Sequence, residues 1–504
     1  MFISIEDVIK YTGGELVFGR LQDNSEKTGV TSVGSDSQRI AEGGLFAAIE
    51  GERADGHRFV RSAFENGAAA AIVSKDIPAE DVPDDKFCIK TDDTVAALQR
   101  LAAWYRRKFD IPVVAVSGSV GKTTTKEMIA SALSSGMNVL KTEGNMNSQL
   151  GVALMMFRLT PEHDIAVIEM GISEPDEMHR LSEIAAPDIA VVTNIGVSHI
   201  GQLGSRENIR REKLDIVRGF RKRDGIILIP ANDEMLNMQD AMSEESLSAE
   251  AYELMKGLTV VRYGEEDGCM YRAYDIHNGH DGVVYDIKLA DGKSERIELS
   301  VLGMHNVYNS LAAIAIADYY GLDIKRAAQK IKEYKPIAMR GQIFENAGIT
   351  IIDDTYNASP DSMKSGLSVL WEKSCTGRKI VVLADILELG EMSEQIHRSI
   401  GAYIADRFNG GVRTDMLFTV GKEAAFIADE TVLQINRGRE KEYDDAVHMP
   451  ENQAVKDEII IQSFESRDEL TDHIMRILKP GDMVMVKGSR GMHMDKLCDA
   501  LKNM

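Results

Sequence analysis

The sequence predicts an α/β protein of three domains, spanning residues 1–110, 111–338 and 339–504. Three observations predict it. The chain has 504 residues, and domains run to roughly 150 residues each. Short apolar runs alternate with longer helical stretches, the rhythm of a parallel sheet covered by helices on both faces. One such run, Val113-Val114-Ala115-Val116, leads straight into a glycine-containing loop and then a helical stretch.

The first domain is a small α/β unit. Phe46–Ile49 and Ala69–Val73 are its strand candidates, Asp55-Gly56-His57 marks a turn, and 58–66 reads as helix. Lys75 to Lys86 is rich in proline and aspartate and reads as loop. A helix over 94–108 ends near Pro112, which sets the boundary. In the central domain, Lys122–Leu133 is a helix and Ile165–Ile168, Ile189–Val192 and Ile226–Ile229 are buried-strand candidates. Glu207–Phe220 is helical, Glu234–Glu253 is a polar surface excursion, and 269–300 looks like strands with turns. The third domain repeats the rhythm through Ile349–Asp353, Ile380–Leu383, Met416–Val420 and Met483–Val486, and Asn436–Asn452 is charged and exposed.

Composition narrows the function. The chain is 44% hydrophobic and 27% charged, ordinary for a globular protein. Lys+Arg 58 against Asp+Glu 80 gives a net charge of −22. So acidic a chain is a poor partner for nucleic acid or an anionic membrane, and any phosphate it holds must be held locally. No run approaches the ~18 apolar residues of a membrane helix. The start, Met1-Phe2-Ile3-Ser4-Ile5-Glu6-Asp7, has no basic and apolar leader, so a cytoplasmic location is expected. Cys88, Cys269, Cys375 and Cys498 lie far apart with no metal spacing and read as reduced thiols.

The strongest local signal is Ser117-Gly118-Ser119-Val120-Gly121-Lys122-Thr123-Thr124-Thr125. Its glycines let backbone wrap a phosphate. Loop amides and a helix N-terminus supply partial positive charge. Lys122 adds a full charge, and the Thr123 hydroxyl suits Mg²⁺. The spacing is GxxGKT, shorter than GxxxxGK[ST], because Val116 stands where the first glycine would be. Glu169 ends an apolar run at the carboxyl edge of a parallel sheet, where ligands bind. His199 follows another strand, and Lys213 lies in Arg210-Arg211-Glu212-Lys213. Taken singly, Glu169 is as much a helix cap, His199 a structural histidine and Lys213 a solvated face. As a set behind a phosphate loop they suggest a divalent-metal site.

At these residues the sequence resembles the Mur ligases, ATP-dependent amide-forming enzymes of bacterial cell-wall synthesis. The likeness runs through Gly118–Thr125, Gly144-Asn145-Met146-Asn147, Glu169-Met170-Gly171, Thr193–His199, Glu212-Lys213, Gly303–Asn309 and Arg340-Gly341. Asp353-Asp354-Thr355-Tyr356-Asn357-Ala358-Ser359-Pro360-Asp361-Ser362-Met363 is similar to the D-D-S-Y-N-A-N-P-x-S-M pattern of the dipeptide-adding members. Val382–Gly390 and Lys487-Gly488-Ser489-Arg490 fit the same members. Asp36-Ser37, Leu45-Phe46 and Gly51 with Asp55-Gly56-His57 resemble a UDP-sugar domain.

The resemblance implies a small UDP-sugar-binding domain, a central P-loop ATPase domain and a Rossmann-like C-terminal domain for the amine substrate. It implies UDP-N-acetylmuramoyl-tripeptide and D-alanyl-D-alanine as substrates, and a monomer. Gly118, Ser119, Val120, Gly121, Lys122, Thr123 and Thr124 would hold the ATP phosphates, Asn306 and Asn309 would flank adenine, and Asp354 would bind ribose. Arg340 would reach the γ-phosphate. Thr123 and Glu169 would hold one Mg²⁺. His199 would help hold a second, with Lys213 carrying a carbamate derived from CO₂. Lys122, Lys213, His199 and Arg340 form the implied catalytic set. Asp36, Ser37, Asn145, Asn147, Tyr356 and Asn357 are implied substrate positions. Gln38, Ser359 and Ala384 depart from the family pattern, where arginine, asparagine and glycine are expected. The rivals are a sibling adding a diamino acid, a folylpolyglutamate synthetase, a P-loop kinase or GTPase, and a paralogue that binds nucleotide or precursor without ligating.

Overall fold

The computed structural model describes the chain except residues 22–27, 52–53, 223, 237–242, 244–246, 280–281 and 447–457, with backbone alone for 439–446. Among the described residues, three large sheets follow one another along the chain. The first has five strands, in the order Glu15–Phe18, Phe87–Lys90, Ala70–Val73, Gly44–Ala47, Ser32–Gly34. It is parallel except at Glu15–Phe18. Helix Thr94–Arg106 closes this unit; its N-terminus is capped by the Asp93 carboxylate, which accepts the Ala96 N–H.

The central sheet has nine strands, in the order Ser294–Leu299, Val283–Lys288, Tyr271–Asn278, Thr259–Gly264, Ile226–Pro230, Ile189–Val192, Val113–Ser117, Ile165–Glu169, Val139–Lys141. From Val139–Lys141 through Thr259–Gly264 it is parallel, as the unbroken apolar runs predict. Residues 271–299 add to this sheet instead of forming a separate layer. Tyr271–Asn278 joins it through two parallel pairs, and the next two strands continue as an antiparallel meander. The phosphate-loop helix Lys122–Leu133 packs on helix Met304–Tyr319. The latter is alanine-rich, with Ala312, Ala313, Ala315 and Ala317 buried, so the two backbones lie close.

The third sheet has six strands, in the order Gln342–Asn346, Ile349–Asp354, Met483–Lys487, Lys379–Ala384, Met416–Val420, Ile460–Phe464. Only its first strand is antiparallel. The excursion expected over 234–253 runs into helix Ala249–Met255, capped by Ser248, whose Ala251 is buried; part of it is therefore core. Helix Ala425–Ala446 carries the start of the charged stretch, and the rest of that stretch lies outside the described residues. The helix expected over 207–220 is an α-helix, Arg206–Leu214, followed by a 3₁₀ turn, Asp215–Gly219.

This topology places chemistry at two facing sheet edges. Strands ending at Ser117, Glu169 and Val192 deliver the central residues. Strands ending at Asp354, Ala384 and Lys487 deliver those of the third sheet.

Candidate active site

All five residues of strand Val113–Ser117 are buried, which fixes where the loop 118–121 begins. Gly118 and Gly121 have φ of +145° and +84°, conformations that favour glycine. A Cβ at Gly118 would overlap the Thr193 hydroxyl. The helix that follows has Gly121 as its N-cap and no side-chain cap. The N–H groups of its first turn are therefore left for an anion. Lys122 Nζ folds back on the loop, donating to Gly118 O at 2.8 Å.

Glu169, the last residue of its strand, is 1% exposed. Its Oε1 accepts from Thr123 Oγ1 at 3.0 Å and from Asn147 Nδ2 at 2.8 Å. Its Oε2 is buried with no hydrogen-bond partner, which is costly for a carboxylate unless something else meets it. Among the described residues no group of three or more His, Cys, Asp or Glu is placed to hold a metal. Mg²⁺ takes one or two protein oxygens and completes its shell with phosphate and water. The orphaned Oε2 and the Thr123 hydroxyl are hard oxygen donors of that kind.

Lys213 is 2% exposed, as a lysine of the implied metal site requires and unlike the solvated face it resembles when taken alone. The helix that carries it is capped by Ser205. It is also tied down by Glu212, whose carboxylate accepts the N–H groups of Asp176 and Met178 at 2.9 and 2.8 Å. Lys213 Nζ donates to Gly118 O at 3.1 Å, from beneath the loop. Burial, and then the nearby Lys122, holds its ammonium well below the usual lysine range. Lys122 is itself lowered by burial, with Glu169 opposing and Arg340 adding to the shift. Burial also lowers His199, which feels Lys122 and Lys213. In a chain of net charge −22, Lys122 and Arg340 line the cleft with Glu169, and Lys213 backs the loop.

Arg340 sits where the central unit passes into the third. Its guanidinium stacks on the Tyr356 ring at 3.8 Å, and the Tyr356 N–H donates to Met339 O at 3.0 Å. Asp354 Oδ2 accepts from Lys487 Nζ at 2.6 Å. Asn306 and Asn309 are nearly buried. Asn306 Nδ2 donates to Leu302 O at 2.7 Å, Asn309 Nδ2 to Asn306 Oδ1 at 3.2 Å, and Thr125 Oγ1 to Asn309 Oδ1 at 2.9 Å. This relay joins their helix to the phosphate-loop helix.

Ser119 to Thr124, Asn147, Glu169, His199, Asn306, Asn309, Arg340, Asp354, Tyr356 and Asn357 line one cleft of about 1340 Å³. Asn145 is exposed and does not line it. Asp36 and Ser37 lie apart, on the first domain. The Asp36 carboxylate accepts the Gln38 N–H at 3.0 Å, and Ser37 O accepts from Asn66 Nδ2 at 2.9 Å.

Three residues from the segments that carry the family likeness, given no role from the sequence, also take part here. Lys487 is buried against Asp354. Asn194 bonds to the phosphate loop. Glu388 Oε2 lies 2.7 Å from His199 Nδ1, an ion-pair distance without hydrogen-bond alignment. His199 and Glu388 both have positive φ, +61° and +66°. Their pairing across the two units has no local sequence signal. Beside them, Gly201 N donates to Glu388 O at 3.2 Å, and a Cβ at Gly201 would stand 2.8 Å from that oxygen. Gly201→Ala is expected to wedge this seam and lower turnover about tenfold, with ADP affinity unchanged; steady-state kinetics and calorimetry check both.

The geometry can now be set beside known proteins. Residues 29–106 match the Mur ligase family catalytic domain, 116–317 the Mur ligase middle domain and 339–490 the Mur ligase glutamate ligase domain. The UDP-N-acetylmuramoyl-tripeptide–D-alanyl-D-alanine ligase of Bacillus subtilis is 35% identical over 485 residues, 96% of each chain. Its counterpart in Haemophilus influenzae is 30% identical over 485 residues, 95% of each. A crystal structure of MurF from Acinetobacter baumannii superposes with a TM-score of 0.82 at 28% identity, covering 100% of this chain and 99% of that one. MurF ligase from Thermotoga maritima in complex with ADP gives 0.75 at 25% identity, covering 94% and 97%. Three matched regions in chain order, and a relative this similar along nearly its whole length, place the chain in the Mur ligase family.

Proposed function

We propose that this protein is an ATP-dependent ligase that adds D-alanyl-D-alanine to UDP-N-acetylmuramoyl-tripeptide. The observation that carries the reading is the convergence of the phosphate loop, the orphaned Glu169 oxygen and Arg340 in one cleft, in a chain similar end to end to ligases of that name. We place the reaction in the cytoplasm, the compartment that supplies ATP, with a single chain as the working unit. Among the described residues no helix is long and apolar enough to cross a membrane.

A carboxylate is a poor electrophile, so the tripeptide carboxylate first takes the γ-phosphoryl group: an O–P bond forms as the bond to ADP breaks. The dipeptide amine then attacks the acyl carbon, phosphate leaves, and the amine gives up a proton. The protein's part is positioning and charge neutralisation. Lys122 and the first-turn amides draw in the β/γ-phosphates, and Arg340 approaches from the domain junction. Tyr356 and Asn357 face the dipeptide; Asp36 and Ser37 anchor the UDP end, with Asn147 nearer the acyl end. Thr123 and Glu169 would hold Mg²⁺, which when bound would offset phosphate charge. The neutral Lys213 amine would take up CO₂ as a carbamate, an N–C bond forming as the nitrogen gives up a proton, and His199 would help hold a second ion. Asn306 and Asn309 shape the adenine pocket, and Asp354 the ribose side. The seam at Glu388 and Gly201 excludes water from the activated acyl group.

Phosphate release is the test. With the UDP-linked tripeptide and ATP, release is expected on adding D-alanyl-D-alanine and not on adding single amino acids. Stimulation by a diamino acid and not by the dipeptide would move the substrate to a sibling ligase.

A further inference from the structure

The phosphate loop is short, and the structure shows where the missing part went. Val116 and Ser117, which a longer loop would use, are committed to the sheet. Val116 pairs with Glu169 and Val191, and Ser117 with Val192. Only Gly118 to Gly121 remain before the helix, too few to close a cradle on their own.

The neighbouring segment closes it from outside. Asn194 Oδ1 accepts the Ser119 N–H at 3.0 Å and the Val120 N–H at 2.8 Å, and Asn194 O accepts from Ser119 N at 3.1 Å. Thr193 Oγ1 donates to Val120 O at 2.5 Å, and Gly196 N donates to Ser119 Oγ at 2.8 Å. Gly118 has no side chain where Thr193 presses in. A single carboxamide oxygen thus holds both front amides, which removes Ser119 and Val120 from the donors facing a phosphate. The first-turn amides of the helix and Lys122 remain.

We propose that Asn194 is a positioning residue: its carboxamide replaces the missing part of the loop and holds the cradle in its phosphate-binding shape before nucleotide arrives. The competing arrangement is a plug, in which Asn194 Oδ1 occupies a phosphate-oxygen position and is displaced by nucleotide. The two differ in sign. The proposal rests on the ATP reading above.

Amide hydrogen exchange on the wild-type protein reads Ser119 and Val120 directly. A brace keeps both amides slow without ADP and with it; acceleration on adding ADP would overturn the proposal. In Asn194→Ala the Val120 amide is expected to exchange fast in the absence of nucleotide, and the Ser119 amide less so, because Asn194 O remains its acceptor. ADP is expected to bind about tenfold more weakly, since the Val120 N–H loses its acceptor. KM for ATP should rise more than kcat falls, with KM for the amine substrate unchanged. Asn194→Asp restores an acceptor of the same reach, so protection should return. ADP binding as tightly or more tightly to Asn194→Ala would sink the brace alone. A wild-type protein that bound no ADP would sink the nucleotide reading, and the brace with it.

Discussion

Replacing Lys213 by alanine is expected to lower turnover by about a thousandfold or more, a loss of about 4 kcal/mol in transition-state stabilisation. ADP binding should change little, because Lys122 and the loop amides remain. The expectation comes from a conflict in the structure. An ordinary ammonium, 2% exposed, would sit beside the Lys122 charge with Gly118 O as its acceptor. Burial and that neighbour push the group toward its neutral form. A neutral amine is the form that reacts with CO₂. The product would be an anion with oxygen donors, which would suit the cationic surroundings better than an ammonium does. Two controls separate this from simple loss of packing. Lys213→Met keeps the aliphatic stem and should be as inactive as Lys213→Ala. Short carboxylates such as formate or acetate should partly restore Lys213→Ala, by filling the space with the missing charge. Full activity of Lys213→Ala would remove the carbamate from the mechanism.

How much of this was legible in advance depends on the range of the interaction. Strands Ile189–Val192 and Met416–Val420 and helix Lys122–Leu133 have the boundaries their apolar periodicity predicts. Each is set by residues within it, and Gly421 and Gly121 mark one end of the last two. The phosphate loop was legible for the same reason, since glycines, lysine and threonines lie within a few positions. Lys213 was legible only through the family likeness. Taken alone, four charged residues in a row look solvated, and the distant amides of Asp176 and Met178, which bond to Glu212, turn that helix inward. The Asn194 contacts bridge about 75 positions, and the His199–Glu388 pair joins two separately folded sheets. Neither leaves a local pattern. The antiparallel extension over 271–299 was readable as strands but not as part of the central sheet, because pairing partners are chosen in three dimensions.

Arg106 governs a different property, the join between the first two units. It ends helix Thr94–Arg106 and is 1% exposed, among the largest fully buried side chains. Among the described residues no carboxylate forms an ion pair with it. Instead Nη1 donates to Phe109 O at 2.8 Å, Nη2 to Ile111 O at 2.9 Å and Ala186 O at 3.4 Å, and Nε to Ala185 O at 2.8 Å. Two of these carbonyls belong to the linker into the central sheet. The other two close the end of helix Glu177–Ala185, where carbonyls are unpaired and the helix dipole is negative. Burial, and then Arg221, lowers the guanidinium to about 10, still protonated at neutral pH. Arg106→Met fills the same space but strands four carbonyls, so a loss of about 3–5 kcal/mol is expected. Arg106→Lys should recover only part of it, because one ammonium cannot fan out to four acceptors. Urea denaturation reads the stability. Kinetics at a temperature where the variant stays folded read the geometry: the arginine fixes the angle between the first domain and the central one, so KM for the UDP-linked tripeptide should rise more than KM for ATP. An equal rise in both would mean that Arg106 contributes stability alone. A variant as stable as the wild type would show that the linker is held by its apolar packing and not by the guanidinium.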